Sequence, residues 1–238
     1  MDWLSAKRPL IIGHRGASAD APENTLYAFN LALEQGADGV ELDVQLSRDG
    51  KLVVFHDWTV ERVTNGRGRV ADLTLAELQA LTMPEGQQIP TLDEVFEAFG
   101  PRLLYNVEIK AKQWGDMGVE TAVADRIQAH HLENRVIVSS FSLASVRRAR
   151  QRLPAATPVG LLWYKPWRYY GHWGVSAQAD HPYHLLVNKT YMAWVKKRGL
   201  KVNTWTVDDP QRAKQLVALG VDGIITNKPQ FIRESLGL

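Results

Sequence analysis

The 238-residue chain contains no cysteine. That removes disulfides, thiolate nucleophiles and cysteine-ligated metals together, and it fits a cytoplasmic location. No run of about 18 apolar residues is present, so no membrane span or stable membrane insertion is expected. The N-terminal MDWLSAKRPL lacks the apolar stretch of a secretory signal. No charge of one sign dominates: 28 Lys and Arg against 26 Asp and Glu give a net +2. Such a chain exerts no global pull on nucleic acid, and it has no basic run with interleaved aromatics. A Gly-rich dinucleotide fingerprint after the first apolar strand is missing too, which weighs against an open doubly wound sheet. There is no internal repeat and no low-complexity linker.

What is present is an alternation. Short apolar runs, LIIGHR (10–15), GVELDVQL (39–46), LVVFHD (52–57), LLYNVEIK (103–110), VIVSSF (136–141), VGLLW (159–163), KVNTWTV (201–207) and GIITN (223–227), read as strands. Segments with helical spacing lie between them: 25–36, 119–131, 142–153, 190–199 and 209–220. A further strand falls at AQADHP (177–182) or at LLVN (185–188). Asp49-Gly50 is a hairpin turn by its own chemistry. Between Trp58 and Arg102 lie a turn-rich TNGRGR and helix candidates at 74–81 and 91–99. The second of these has Thr91 as N-cap and Glu94 at capping-box spacing. About eight βα units in one chain of this length argue for a closed (β/α)8 barrel in a single domain, residues 1–238.

In a barrel the chemistry sits at the C-terminal ends of the strands. Those ends carry His14-Arg15-Gly16, Glu41 and Asp43, His56-Asp57, then Asn106, Glu108 and Lys110, later Asn203 and Trp205, and last Asn227-Lys228. Alternate strand residues share a face, so Glu41 and Asp43 point the same way, as do Asn106, Glu108 and Lys110. Three carboxylates converging on one mouth would repel, and a divalent cation resolves that cost. All-oxygen ligands suit Mg²⁺ or Ca²⁺ rather than Zn²⁺. The blander readings are a Glu108–Lys110 ion pair and histidines held in loops.

Read together, HRG (14–16), ENT (23–25), VELDVQLSRDG (40–50), VVFHD (53–57), VEIK (107–110), TWTVDD (204–209) and GVDGIITNKP (220–229) resemble the glycerophosphodiester phosphodiesterase family over almost the whole chain. The resemblance implies a TIM barrel with a small insertion after the second strand, which suits residues 58–102. It implies hydrolysis of a small-molecule glycerophosphodiester to sn-glycerol 3-phosphate and an alcohol. It casts His14 and His56 as the catalytic pair, with Glu41, Asp43 and Glu108 as ligands of one divalent cation. Arg15 and Lys110 then lie near the phosphate, and Trp205 against the glycerol. His14 reads as base and His56 as acid. The nucleophile is either water or the glycerol 2-hydroxyl, the latter through a cyclic phosphate. The rivals are a lysophospholipase D-like enzyme on the same scaffold and a non-catalytic barrel that binds phosphorylated glycerol.

ENT reads chiefly as the cap of the first helix, with Glu23 supporting the site. Asp57 either orients His56 or caps the next turn. WYKPWRYYGHW (163–173) is a substrate-facing wall, an interfacial patch or a packed aromatic loop. His130, His131, His172, His181 and His184 read as structural.

Overall fold

A computed structural model describes residues 2–111, 118–165 and 174–238. Eight parallel strands close on themselves. They are β1 (Leu10–His14), β2 (Gly39–Leu46), β4 (Leu104–Ile109), β5 (Val136–Ser140), β6 (Val159–Trp163), β7 (Ala179–Pro182), β8 (Lys201–Thr204) and β9 (Gly223–Thr226). Each pairs in parallel with the next, and β1 pairs with both β2 and β9, so no edge remains in the barrel. The short β3 (Leu52–Val54) is antiparallel to β2, with Val44 opposite Val54. Gly50 turns that hairpin at φ +74°, a conformation that costs glycine little.

Helices α1 (Leu26–Glu34), α4 (Val119–Ala129), α5 (Leu143–Arg152), α6 (Lys189–Lys197), α7 (Pro210–Leu219) and α8 (Pro229–Ser235) follow β1, β4, β5, β7, β8 and β9 in turn. The β3–β4 connection carries α2 (Leu75–Gln79) and α3 (Leu92–Phe99). Both open on complete capping boxes, Thr74 with Glu77 and Thr91 with Glu94, each satisfying two otherwise orphaned backbone donors. Among the described residues, no helix is long and apolar enough to cross a membrane.

Strand alternation sorts the side chains into two shells. On β2, Val40, Leu42 and Val44 join Phe29 and Phe96 in the layer between sheet and helices. The interleaved Glu41, Asp43 and Gln45 therefore face the barrel interior. On β1 and β4, Leu10, Ile12 and Leu104 fill the barrel floor with Ile137, Ala179 and Ile225. His14, Asn106 and Glu108 share the phase of that floor and stand above it. Gly39 lets β2 approach β4, because a Cβ there would lie 2.4 Å from Leu104 O. Val53, Phe55, Val60, Val70, Leu78, Met83 and Ile89 form a separate small core beneath α2.

The sixth barrel strand, β7, is 179–182; its backbone is taken up by β6 and β8. LLVN instead overlaps a 3-10 turn, His184–Leu186, that leads into α6. LVVFHD is strand only through Val54, although Phe55 N still donates across the hairpin to Asp43 O. Trp205 sits one residue beyond β8, bridged to Tyr183. Of the aromatic stretch 163–173, residues 166–173, His172 included, lie outside the described residues.

Candidate active site

The C-terminal ends of β1, β2 and β4 meet at one mouth. His14, Arg15, Glu41, His56, Asn106 and Glu108 line a pocket of about 120 Å³, walled on its apolar side by Phe141, Leu162, Trp205 and Ile225. One oxygen each of Glu41, Asp43 and Glu108 lies within 4.8 Å of the others. All three side chains are buried. Burial, and then the charges of Asp43 and Glu108, push the Glu41 carboxyl well above its ordinary range. Burial likewise pushes Glu108 up to about 7, against the pull of Lys110. Asp43 goes the other way, to about 2: its burial is outweighed by Lys110, Arg15 and His56, and by a hydrogen bond from Asn24. Fully ionised, these three carboxylates would outnumber Arg15 and Lys110, the two cations nearest them.

The two basic residues border this cluster. Lys110 Nζ lies 2.8 Å from Glu108 Oε1 and 3.4 Å from Asp43 Oδ1. Although buried, it is held above the usual lysine range by those two charges. Arg15 Nε is 3.3 Å from Asp43 Oδ2, and its NH1 donates to Glu23 Oε1 at 3.0 Å. Its backbone lies in the left-handed region at φ +55°, a strained setting for a side chain of this size. That turn directs the Arg15 N–H to Glu41 Oε2 at 3.1 Å.

The histidines are poised differently. His14 Nδ1 is 2.7 Å from Asn227 Oδ1. Asn227 spends its amide on Asp208 Oδ2 at 2.6 Å, so Oδ1 is the acceptor. His14 therefore carries its proton on Nδ1 and presents a lone pair at Nε2, 3.9 Å from Glu41 Oε2. Burial and then Arg15 lower its pKa. Burial lowers His56 as well, opposed by Asp43. His56 Nδ1 is 2.6 Å from Asp57 Oδ1, and Arg62 Nε donates to Asp57 Oδ2 at 2.5 Å. A carboxylate at Nδ1 orients the ring and favours its protonated form. Arg62 also donates to both oxygens of Glu23, so one arginine joins the His56 and Arg15 arms of the site.

His14, Arg15, Glu41, Asp43, His56, Glu108, Lys110 and Trp205 thus lie in or beside one mouth, whereas Asn203 lies deeper, hydrogen-bonded to the buried His181. ENT does more than cap: Thr25 accepts from Ala28 N, Asn24 donates to Asp43 at 2.9 Å, and Glu23 holds two arginines. Trp205 stands edge-on to Phe141, with ring centroids 5.4 Å apart, and its Nε1 donates to His181 O. Phe141 was legible as a strand-end residue of VIVSSF. Arg62 was not, because nothing in TNGRGR and its approach marks which cation folds back. Asn227 showed as a strand end, but its hold on His14 did not. Outside the mouth, His130 lies 2.8 Å from Asp93, and His181 is sealed inside the barrel.

The sequence pattern of the Glycerophosphoryl diester phosphodiesterase family matches residues 14–231. A glycerophosphodiester phosphodiesterase of Caldanaerobacter subterraneus subsp. tengcongensis is 41% identical over 239 residues, spanning 94% of this chain and 96% of its own. One of Bacillus subtilis is 32% identical, spanning 97% and 87%. Among solved structures, an Oleispira antarctica phosphodiesterase in complex with the product sn-glycerol-3-phosphate superposes with a TM-score of 0.87 at 29% identity. That match covers 97% of this chain and 98% of the other.

Proposed function

The chain belongs to the glycerophosphoryl diester phosphodiesterase family, and from that premise we propose that it hydrolyses glycerophosphodiesters to sn-glycerol 3-phosphate and an alcohol, with one divalent cation and two histidines. We read residues 58–102 as an insertion in one barrel domain. The observation that carries the function is the meeting of Glu41 and Glu108 with His14 and His56 in one pocket, with Asp43 against the two carboxylates.

The three carboxylates fit a cation on their own chemistry. They are buried and mutually repelling, and Asp43 Oδ1 accepts no hydrogen bond. An all-oxygen set of this kind suits Mg²⁺ or Ca²⁺. When bound, such an ion offsets charge on the phosphoryl oxygens. Arg15 and Lys110 contribute to the same end, Arg15 through a planar two-point contact and Lys110 as a point charge.

His14, with its lone pair at Nε2, takes the proton of the nucleophile. His56, backed by Asp57, gives a proton to the departing alkoxide. We assign the substrate's own 2-hydroxyl as nucleophile. Its oxygen bonds to phosphorus as the bond to the alcohol breaks, leaving a five-membered cyclic phosphate. Water then attacks phosphorus, its proton passing to His56, while His14 returns a proton to the 2-oxygen. Trp205 and Phe141 shelter the glycerol carbons.

The test is release of glycerol 3-phosphate from glycerophosphoethanolamine and glycerophosphocholine with Mg²⁺, with Ca²⁺ and with chelator, alongside His14→Ala. Cation-dependent release that is lost in the variant supports the reading. No release with either cation refutes it. Full turnover of a 2-deoxyglycerol substrate would sink the cyclic route alone.

A further inference from the structure

We propose that Asp208 is a positioning residue for the base: through the side-chain amide of Asn227 it locks the proton of His14 on Nδ1 and so keeps Nε2 open toward the mouth. The proposal deepens the phosphodiesterase reading and rests on it for the role of His14.

Two aspartates precede α7. Asp209 caps that helix, accepting from Gln211 N. Asp208 reaches instead to the end of β9. Its Oδ1 accepts from the Thr226 hydroxyl and from the Asn227 backbone N–H, each at 2.8 Å. Its Oδ2 accepts from Asn227 Nδ2 at 2.6 Å. A carboxylate can only accept, whereas an amide has a donor on one side and an acceptor on the other. With its Nδ2 claimed by Asp208, Asn227 has only Oδ1 to offer to its far side. There it meets His14 Nδ1 at 2.7 Å.

No other neighbour makes that choice. Ser18 Oγ lies 2.8 Å from Asn227 Oδ1 and 2.7 Å from His14 O. A hydroxyl has one hydrogen and two lone pairs, so Ser18 serves either orientation of the amide by donating to the His14 carbonyl. The neutral imidazole carries its proton on whichever nitrogen its partners favour. Glu41 pulls the wrong way. Its Oε2, 3.9 Å from His14 Nε2, is an acceptor that favours a proton on the nitrogen that must stay open. The asymmetry that holds the working tautomer therefore enters at Asp208.

Neither Asp208 nor Asn227 lines the reaction pocket. Both border a neighbouring recess that shares His14 and Arg15 with it. A change at Asp208 should therefore act on kcat and leave KM in place.

The experiment compares the native protein with Asp208→Asn, Asn227→Asp and the double variant, all with divalent cation present. Nitrogen chemical shifts of isotope-labelled histidine, assigned with His14→Gln, report the tautomer. Release of glycerol 3-phosphate from glycerophosphoethanolamine gives kcat and KM. In Asp208→Asn the remaining oxygen stays with the Asn227 backbone N–H, which cannot accept, and an NH2 then faces Asn227 Nδ2. The Asn227 amide reverses and the His14 proton moves to Nε2. The expected loss in kcat is up to about 10⁴-fold, the cost of a catalytic histidine in the wrong tautomer. In the double variant the two side chains have changed places. The amide at 208 donates to the carboxylate at 227, whose other oxygen accepts from His14 Nδ1, so tautomer and kcat should recover. Asn227→Asp alone sets two carboxylates together where a 2.6 Å hydrogen bond stood, and its kcat should stay below that of the double variant. A merely structural aspartate predicts no recovery when the partners are exchanged. An Nδ1 proton retained in Asp208→Asn, a double variant no more active than Asp208→Asn, or Asn227→Asp as active as the double variant would each overturn the proposal. If the native protein releases no glycerol 3-phosphate, the phosphodiesterase reading fails, and the nitrogen shifts still decide whether Asp208 holds the tautomer.

Discussion

Replacing Glu41 by Gln should make the cation-free protein more stable at pH 8 while removing most of its response to divalent cations. The oxygens of Glu41, Asp43 and Glu108 lie within 4.8 Å of one another. A like-charge pair at that distance costs about 3 kcal/mol at an effective dielectric of 20. For a chain of this size, about 3 kcal/mol corresponds to roughly 6–12 °C in Tm. The pH window follows from the direction of the shift. Glu41 is raised by burial and by its neighbours' charges, so its contribution is fully present below the unfolded carboxylate pKa. It is lost as pH rises through the folded value. At pH 5 the native side chain is already protonated, and Gln should change little. His14 and His56, lowered by burial, act in the opposite sense near neutral pH, but they cancel in the difference between native and variant proteins. The assay is thermal unfolding in chelator at pH 5 and pH 8, repeated with Mg²⁺ and Ca²⁺. With cation at pH 8 the native protein should gain Tm and the variant should not. A variant less stable than the native protein in chelator at pH 8 would refute the argument, since Glu41 would then be held by donors rather than strained by repulsion.

Other outcomes follow from the same geometry. Arg62→Ala should reduce kcat about tenfold, the scale of a lost charged hydrogen bond, with little change in Tm because Arg62 is 48% exposed; unchanged kcat would show that Asp57 holds His56 unaided. The acid limb of the kcat/KM profile should fall below pH 6.5, because burial and Arg15 lower His14 and so keep it basic further into acid; a limb above 6.5 measured in kinetics with saturating cation would contradict its role as base. Thr25→Ala removes the α1 cap and should cost about 1 kcal/mol, read as a fall in the denaturant midpoint with kcat retained. Removal of divalent cations by chelator should abolish turnover reversibly, and refilling with either cation should show which one restores the higher rate.

Much of this architecture was legible locally. Alternation along GVELDVQL and LLYNVEIK placed Glu41, Asp43 and Glu108 on inward faces, and the structure keeps that phase because the intervening valines and leucines pack under the helices. The capping box at Thr91, the Asp49-Gly50 turn and the strand-end histidines are short-range features set by one or two residues. The ambiguity at 177–188 was real: both segments are short and mixed in polarity, and backbone pairing with β6 and β8 decided between them.

The amino-acid sequence by itself determined the number of βα units, the face on which each carboxylate stands and the chemical kinds gathered at the strand ends, because those depend on a period of two and on local turn chemistry. Only the tertiary structure decided how the groups meet. Asn227 sets the tautomer of His14 from 213 residues away, and Arg62 ties Asp57 to Glu23. Those contacts depend on barrel closure and strand register, which bring distant backbone within reach of long side chains, and no local pattern encodes that distance.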